Sequence, residues 1–458
     1  MIKNREELLS HGNIRGRKIA IDVIEHTLKE VNLYNQVKKL VHIKDKILTV
    51  NSLNFDTSKI GEIYVVGAGK STFWAGKALE QILGERIRGG VIIDKRGGVK
   101  SRLKRIEVIE AGHPIPDEAG LDGARKILDI AKRAGEKDIV FVVVTGGSSA
   151  LMPLPAEGIS LEDKREITRL LLNSGASIEE INAVRKHISA IKGGRLAKYI
   201  HPAKIITLTF ATIDPFTPQG QLMPWPDVTL PDPTTFSDAI SVLKKYKLWD
   251  KVPDSIRAHL NKGLMDPSLE TPKAKDFEGV SVYTINLGDR QTLCEAAKNR
   301  AEKLGFNSVV LSTLIEGESR EAGIVLAGIA KEIERYKKPF KPPCVLISSG
   351  ETTVTVKDEH GKGGRNQEFV LGFALKINES NNIVVAAIDT DGADGPTSVA
   401  GGIADGYTIK RAKEMRIDIY ENLQRNNSFH VLNALNDTII TGPTGTHLQQ
   451  LRVIVIGG

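Results

Sequence analysis

Residues 62–83 read EIYVVGAGKSTFWAGKALEQIL, and this stretch indicates the fold. Its first five residues form the β-branched, apolar run of a buried strand, and residues 71–83 have the apolar spacing of a helix. The same order recurs where a strand-like run at 138–144 leads into a glycine turn, and where a run at 282–287 precedes a helical pattern. Such alternation is typical of parallel sheets covered by helices, which bind ligands at the C-terminal ends of their strands.

The length of 458 residues exceeds what one hydrophobic core usually serves, so we expect two domains. A proline-rich break at 215–233 and a new strand near Val280 suggest a boundary between them. We predict an N-terminal Rossmann-like α/β domain over residues 1–265 and a C-terminal α/β domain over 275–458. Each is expected to hold a mostly parallel sheet covered by helices.

Composition narrows the class of protein. The net charge of +7 is dispersed among 56 acidic residues, and aromatic content is 5%, which gives little support to nucleic-acid binding. Only Cys294 and Cys344 are present, far apart, so neither a disulfide framework nor a zinc site is supported. We expect two buried thiols, no membrane span and a cytoplasmic protein.

Four glycine turns suggest binding sites for anions. Residues 363–368, GGRNQE, lead into an apolar helix pattern, and similar turns follow apolar runs at 67–71 (GAGKS), 145–149 (TGGSS) and 441–446 (TGPTGT). A helix N-terminus offers N–H groups and a partial positive charge, and Arg365 adds a planar fork suited to phosphate or carboxylate. Several such turns in one chain suggest a polyanionic substrate.

The turn at 67–71 is not a P-loop, because Tyr64 stands where that motif needs its first glycine, and it is not a dinucleotide fingerprint, because Thr72 replaces the third glycine. The turn places Lys70 and Ser71 at the start of a helix. These two residues either bind a phosphate or carboxylate group or simply connect the strand to the helix. In the turn at 145–149 the backbone can form an anion-binding nest, although helix capping by Ser148 or Ser149 explains the sequence almost as well.

Carboxylates and cations mark two further stretches. Residues 389–395, DTDGADG, cannot form an EF-hand loop, because alanines occupy its fifth and twelfth positions, but Asp389 and Asp391 suit Mg²⁺ or another divalent cation. The alternative is a solvated Asp-Gly turn. Residues 184–195, VRKHISAIKGGR, are the densest cationic stretch, which either binds an anion or stabilises a helix C-terminus. His113 lies in a loop that contains two prolines, where it either contacts the substrate or only stabilises the turn.

Taken together, these motifs resemble a known family. The strings lie, in order, at residues 66–70, 112–117, 145–151, 184–197, 231–235, 363–368, 390–397 and 441–446. From about residue 5 to its C-terminus the chain resembles the glycerate 2-kinases with a MOFRL-type C-terminal domain. The resemblance implies transfer of the γ-phosphoryl group of ATP to the C2 hydroxyl of D-glycerate, with a divalent cation, in a cleft between two α/β domains.

Carried over residue by residue, the resemblance implies that Lys70 and Arg365 are catalytic. We predict that substrate or nucleotide is bound by Gly69, Ser71, His113, Gly146, Gly147, Ser148, Ser149, Lys186, Lys192, Gly364, Asn366, Glu368 and Thr444. The chain departs from the family pattern around Asp214, and it has His447 and Gln450 where the family usually has Asn and Asp. No role is assigned to these three positions.

Alternatives stay open at this point. They are an NAD(P)-dependent hydroxypyruvate reductase, a glycerate kinase that forms 3-phosphoglycerate, and a non-catalytic protein that binds phosphorylated metabolites. The absence of Gly-x-Gly-x-x-Gly counts against the reductase. Metal preference and oligomeric state are left open, with a homodimer as the candidate assembly.

Overall fold

The computed structural model describes residues 1–99, 101–210, 227–356 and 359–457, so Asp214 lies outside the described residues. The strands are β1 (Val41–Lys44), β2 (Ile47–Val50), β3 (Leu53–Asp56), β4 (Ile63–Ala68), β5 (Ile87–Lys95), β6 (Ile106–Ala111), β7 (Ile139–Thr145), β8 (Lys204–Phe210), β9 (Val282–Asn286), β10 (Asn307–Ile315), β11 (Cys344–Gly350), β12 (Ile383–Asp389), β13 (Gly401–Asp405), β14 (Thr438–Ile439) and β15 (Gln450–Ile456).

The helices are α1 (Arg5–Leu8), α2 (Ile14–Glu30), α3 (Leu33–Leu40), α4 (Thr72–Leu83), α5 (Glu118–Arg133), α6 (Ser148–Leu151), α7 (Leu161–Leu172), α8 (Ile178–His187), α9 (Arg195–Ile200), α10 (Phe236–Lys245), α11 (Asp254–Met265), α12 (Arg290–Lys303), α13 (Ser319–Tyr336), α14 (Arg365–Ala374), α15 (Thr408–Glu414), α16 (Ile419–Gln424) and α17 (Ser428–Ala434). Short 3-10 helices cover Gly84–Arg86, Pro267–Leu269 and Ala274–Phe277. None of the described helices is long and apolar enough to span a membrane.

Two compact α/β units are present, as predicted. The first, here called the parallel-sheet unit, is Val37–Leu287, and the second, the mixed-sheet unit, combines Met1–Gln36 with Gly288–Gly458. This division differs from the predicted boundaries of 1–265 and 275–458. The reason is that helix α2 packs on β12 and β15 of the mixed-sheet unit, where Gly16 lies against Val384.

The parallel-sheet unit contains a six-stranded sheet in the order β6-β5-β4-β7-β8-β9, and every strand pair is parallel. Helices cover both faces, because α4 packs on Ile92 through Gly76 while α5 packs on Ile93, the next residue of β5, which points to the opposite face. The chain builds the sheet outward from β4 in one direction and from β7 in the other. The crevice expected at such a reversal lies at the C-terminal ends of β4 and β7.

The mixed-sheet unit contains six strands in the order β10-β11-β15-β12-β13-β14. Among these strands only β10 and β11 pair in parallel, so the predicted mostly parallel sheet is correct for the other unit and not for this one. Strand β15 enters antiparallel between β11 and β12, with Ile454 opposite Leu346 and Val385. A strand that is covered on both faces is a continuous apolar run, whether it is parallel or antiparallel to its neighbours. The sequence pattern therefore does not reveal that β15 is antiparallel.

Most local predictions match the structure, with shifts at element ends. Helix α14 begins at Arg365, directly after Gly364. The cationic helix α8 ends at His187 and does not continue to Gly193. Both cysteines are buried, as predicted, and burial raises the pKa of the Cys294 thiol to about 12 and that of Cys344 to about 11.

Candidate active site

Two of the predicted glycine turns meet at the C-terminal ends of β4 and β7. The backbone N–H of Lys70 donates a hydrogen bond of 2.9 Å to the carbonyl of Gly146, and Oγ1 of Thr145 donates one of 2.7 Å to the carbonyl of Lys70. Gly69 lies between them, close against Thr145. The turns therefore form one structure, located where the strand order reverses.

His113 joins the same group of residues. Gly147 has a φ of +88°, and a Cβ atom there would lie 2.8 Å from Cδ2 of His113 and 3.5 Å from Cγ of Lys70. A side chain at this position would be strained and would meet the imidazole, so the turn requires glycine. The structure thus brings together Lys70, His113 and Gly147, which lie in three separate motifs of the sequence.

The N-terminus of α4 is not free for an external anion. The buried carboxylate of Asp94, at the end of β5, accepts hydrogen bonds from the backbone N–H groups of Ser71 (3.0 Å), Phe73 (2.9 Å) and Lys95 (2.7 Å). Burial raises the pKa of Asp94 to about 6, although these hydrogen bonds oppose the shift. The predicted anion contact through the backbone at Ser71 is therefore replaced by an internal contact. The sequence did not predict this contact, because Asp94 is a single carboxylate outside the motifs.

The turn at 146–149 leads to a buried lysine. Nζ of Lys192 lies 2.9 Å from Oγ of Ser149 and 2.9 Å from Oδ2 of Asp227, and only 1% of Lys192 is exposed. Within the described residues, Oγ of Ser148 and Oδ1 of Asp227 are buried without a hydrogen-bond partner. The structure therefore places Ser148, Ser149 and Lys192 together, as predicted for a polar binding site, and adds Asp227, which the sequence analysis missed.

Further cations lie near Lys192. Burial, followed by the charges of Lys192 and Arg185, holds the pKa of Lys164 well below its usual range, and burial lowers the pKa of Arg185. Asp227 is the carboxylate that offsets both shifts. Lys186 has a different partner, since its Nζ lies 2.9 Å from Oδ1 of Asp232. Basic side chains are thus grouped around the ion pair of Lys192 and Asp227, while Lys186 is held in a separate ion pair.

In the mixed-sheet unit, Arg365 bridges two carboxylates. Its Nη1 donates to Oε1 of Glu351 and its Nη2 donates to Oδ2 of Asp389, both at 2.8 Å. The Arg365 side chain is 28% exposed, whereas that of Asp389 is only 6% exposed. Burial and the neighbouring charge of Asp391 raise the pKa of Asp389 to about 6, although Arg365 opposes the shift. The guanidinium is therefore fixed in place by two carboxylates and stays partly exposed.

The N-terminus of α14 is also closed by an internal carboxylate. Asp394 is fully buried and accepts hydrogen bonds from the backbone N–H groups of Asn366 (3.1 Å) and Gln367 (3.0 Å) and from the side-chain amides of both residues. A Cβ atom at Gly364 would lie 2.3 Å from Cγ of Asp394, so Gly364 makes room for this carboxylate. The predicted anion site of residues 363–368 is thus reduced to the side chain of Arg365.

Two more predicted ligand contacts are internal. Glu368 is 1% exposed and accepts a hydrogen bond of 2.9 Å from Nδ2 of Asn426. Oγ1 of Thr444 donates to the carbonyl of Thr390 and accepts from the backbone N–H of Thr446. Asn366, Glu368 and Thr444 therefore support the framework, and we do not retain a ligand contact for them. In the sequence, a polar residue of a glycine-rich motif looks the same whether it binds a ligand or makes an internal hydrogen bond.

A group of possible metal ligands lies beside Arg365. Ligand atoms of Asp389, Asp391 and His447 all lie within 4.8 Å of one another. The sequence analysis selected the two aspartates and left His447 without a role, because the chain departs from the family pattern at this position. Gln450 is not part of this group, since its Oε1 accepts hydrogen bonds from the backbone and side chain of Thr352.

Comparisons with known proteins agree with this architecture. Residues 19–261 match a domain of unknown function, DUF4147, and residues 344–450 match the MOFRL family. A glycerate 2-kinase from Pyrococcus horikoshii is 42% identical over 96% of this chain and 97% of its own length. A putative hydroxypyruvate reductase from Agrobacterium vitis is 36% identical over 90% of this chain and 91% of its own length.

A solved structure extends the comparison to three dimensions. The crystal structure of a glycerate kinase from Thermotoga maritima has a TM-score of 0.82 and 36% sequence identity, and the match covers 96% of this chain and 99% of that one. Similarity over nearly the whole length of each protein includes both units and the motifs described above. The chain belongs to the glycerate 2-kinase family with a MOFRL-type C-terminal domain.

Proposed function

We propose that the protein is an ATP-dependent glycerate 2-kinase. It transfers the γ-phosphoryl group of ATP to the C2 hydroxyl of D-glycerate and forms 2-phospho-D-glycerate and ADP. The observation that carries this proposal is the direct link between the Lys70 turn and the Gly146 turn at the point where the strand order reverses. A crevice at such a point is where open α/β sheets bind ligands.

Lys70 supplies mobile positive charge in this mechanism. Its backbone is held on both sides, by the carbonyl of Gly146 and by Oγ1 of Thr145, so the base of the side chain is fixed. Phosphoryl transfer requires positioning and charge stabilisation more than covalent chemistry. We assign to the Lys70 ammonium the binding of a phosphoryl oxygen whose negative charge increases in the transition state, and to His113 a contact with the substrate.

Arg365 supplies a rigid, planar charge. The two ion pairs with Glu351 and Asp389 use one N–H of each terminal nitrogen, and a guanidinium has five donors. The remaining donors point in fixed directions, because both carboxylates prevent rotation of the group. We assign to Arg365 the stabilisation of charge on the transferred group or of the glycerate carboxylate.

Asp389 and Asp391 are the residues that would hold Mg²⁺ or another divalent cation. Oδ2 of Asp389 is occupied by Arg365, while its Oδ1 is buried and has no hydrogen-bond partner among the described residues, which fits a metal ligand. When bound, the cation neutralises charge on phosphate oxygens. Arg365 orients the carboxylate of Asp389, and the backbone N–H of Ala393 donates to Oδ1 of Asp391 at 3.0 Å.

Positive charge around Lys192 explains a preference for an acid over a neutral sugar. The basic side chains of Lys164, Arg185 and Lys192 lie near the carboxylate of Asp227, and burial lowers the pKa of Lys164 and Arg185, so a bound glycerate carboxylate would stabilise their charged forms. A neutral hexose would leave that charge unpaired, which typically costs about 1–3 kcal/mol. Glycerate should therefore be phosphorylated, and glucose should not.

The test measures two reactions on the same purified protein. Formation of ADP from ATP and D-glycerate is expected, and consumption of NADPH with hydroxypyruvate is not; the reverse result would establish the reductase. Phosphorus NMR of the product decides the position of transfer, and a dominant 3-phosphoglycerate signal would contradict the C2 assignment but not the kinase activity.

Location in the cytoplasm and assembly as a homodimer stay predictions. Cell fractionation tests the first, and analytical ultracentrifugation tests the second.

A further inference from the structure

His447 changes the character of the site formed with Asp389 and Asp391. We propose that these three side chains bind one divalent cation, and that the imidazole makes the site prefer Mn²⁺ or Co²⁺ to Mg²⁺. The proposal deepens the proposed function by adding a third ligand and a metal preference. Its evidence, however, consists of contacts within the mixed-sheet unit alone.

Two atoms in this site lack the partners that buried polar atoms normally have. Oδ1 of Asp389 and Nδ1 of His447 are both buried, and neither makes a hydrogen bond within the residues that the structure describes. The Asp389 carboxylate cannot turn to relieve this, because Arg365 holds its Oδ2 at 2.8 Å. Buried polar groups without a partner are rare in folded proteins, and a bound cation would satisfy both atoms at once.

The distances fit a shared ion better than a direct contact. Nδ1 of His447 lies 3.6 Å from Oδ2 of Asp391, which is too long for a hydrogen bond. Two ligands that each lie about 2.1 Å from one ion can be up to about 4.2 Å apart, so this separation suits neighbouring ligands. The whole group, with its atoms within 4.8 Å, needs only a small contraction to surround an ion.

The segments that hold the ligands are tied together. The backbone N–H of Thr390 donates to the carbonyl of Gln449 at 2.9 Å, and the backbone N–H of Leu448 donates to Oγ1 of Thr390 at 2.8 Å. Strands β12 and β15 continue this pairing, with Asp389 opposite Gln450. These contacts hold the backbone next to His447 beside the segment that carries the two aspartates.

The chemistry of the ligands sets the metal preference. Mg²⁺ takes oxygen ligands and retains several waters, whereas imidazole suits first-row transition metals. An asparagine at this position would offer an amide oxygen, which suits Mg²⁺. The substitution His447→Asn therefore exchanges a nitrogen ligand for an oxygen ligand and is the matched test of the preference.

The experiment measures metal binding directly on the full chain, without substrate. Binding of Mn²⁺ is followed by electron paramagnetic resonance, and binding of Mg²⁺ by its competition with Mn²⁺. We expect one Mn²⁺ per chain, a loss of Mn²⁺ affinity of about tenfold or more in His447→Asn, and a change of less than about threefold for Mg²⁺. The control His430→Asn, at an exposed histidine of the same unit, should leave both affinities unchanged.

A second measurement avoids dependence on the variant. Electron spin-echo modulation of Mn²⁺ bound to the unaltered protein should show coupling to an imidazole ¹⁴N nucleus, and this signal should disappear in His447→Asn. Bound Mn²⁺ without ¹⁴N coupling, or equal Mn²⁺ affinity in the folded His447→Asn variant, would overturn the proposal. Neither result depends on turnover, so a protein without kinase activity could still confirm the site, and an active kinase could still refute it.

Discussion

The carboxylate of Asp94 accepts a hydrogen bond of 2.9 Å from the backbone N–H of Phe73, in the first turn of α4. In the mixed-sheet unit, Asp394 makes the equivalent contact with the first turn of α14. Each helix start follows a glycine motif that predicts a phosphate site from sequence. In both, a buried aspartate from another segment satisfies the backbone donors, so the charge available to a ligand comes from the side chains of Lys70 and Arg365.

The first prediction concerns the stability conferred by Asp94. Replacement by Ala removes the acceptor for three backbone N–H groups, one in a buried contact and two in partly buried ones, and a buried donor left without a partner costs about 1–3 kcal/mol. We expect the free energy of unfolding, measured with urea, to fall by about 3 kcal/mol or more. Asp122→Ala, on the exposed surface of α5, should change it by less than about 0.5 kcal/mol. Equal effects of the two substitutions would show that Asp94 is not a structural cap.

The second prediction concerns Lys70. Lys70→Ala should lower kcat/KM for phosphorylation by about 100-fold or more, because it removes charge that stabilises the transition state. The circular dichroism spectrum should be unchanged. Lys137→Ala is the control, since this exposed lysine lies before the N-terminal end of β7, at the opposite edge of the same sheet. Turnover like that of the unaltered protein in the Lys70 variant would remove Lys70 from the mechanism.

The third prediction concerns the geometry of Arg365. Arg365→Ala should lower kcat/KM by about 100-fold, and Arg365→Lys should restore only a small part, because an ammonium cannot bridge Glu351 and Asp389 as a planar fork does. Arg425→Ala, at an exposed ion pair of the same unit, is expected to be neutral. Full activity in Arg365→Lys would mean that charge alone matters and that the fixed orientation does not.

The fourth prediction concerns an ion-pair network that attaches α2 to the mixed-sheet unit. Nη1 of Arg17 lies 2.7 Å from Oδ1 of Asp437, its Nε lies 2.5 Å from Oδ2 of Asp405, and all three side chains are fully buried. Arg17→Ala leaves two buried carboxylates without this partner, and should destabilise the unit by about 3–5 kcal/mol. Arg17→Lys should be nearly as damaging, because one ammonium cannot reproduce the planar arrangement.

The same network gives a pH dependence with a defined sign. Burial raises the pKa of Asp437, but the charges of Arg17 and Arg411 and hydrogen bonds from His11 and Arg17 outweigh it and hold the pKa below its ordinary value. A lowered carboxyl pKa contributes stability that is present above the unfolded pKa of about 3.8 and is lost as pH falls through the folded pKa. Urea unfolding between pH 2 and pH 5 should show stability that falls as the pH falls, and Asp437→Asn should reduce this slope.

The fifth prediction separates structure from binding at Lys192. Lys192→Ala leaves the buried Asp227 without its partner and should destabilise the protein by about 3–5 kcal/mol. The double variant Lys192→Ala, Asp227→Ala removes both charges, so most of that stability should return. The KM for glycerate should stay raised by about tenfold in the double variant, because the positive charge is still missing. Recovery of both stability and KM would assign Lys192 a purely structural role.

Local pattern determined much of this protein. The alternation of apolar runs and helical patterns predicted β4, β7, α4 and α12, because these elements depend on residue spacing within a short window. The glycine motifs predicted turns at strand ends, since few residues other than glycine allow a backbone such as that of Gly147. The order of motifs also predicted the family, which the comparisons confirm.

Tertiary structure decided which partners these segments meet. Asp94 and Asp394 fill positions that the motifs left for a ligand, and Asp227 pairs with Lys192. His447 joins Asp389 and Asp391 from 56 residues or more along the chain. Helix α2 belongs to the unit of the C-terminal segment because its apolar face and Arg17 find partners there. The antiparallel direction of strand β15 could not be predicted from the sequence, since a strand buried on both faces is an apolar run in either direction. Spacing along the chain specifies local geometry, whereas contacts between distant segments depend on how the sheets assemble.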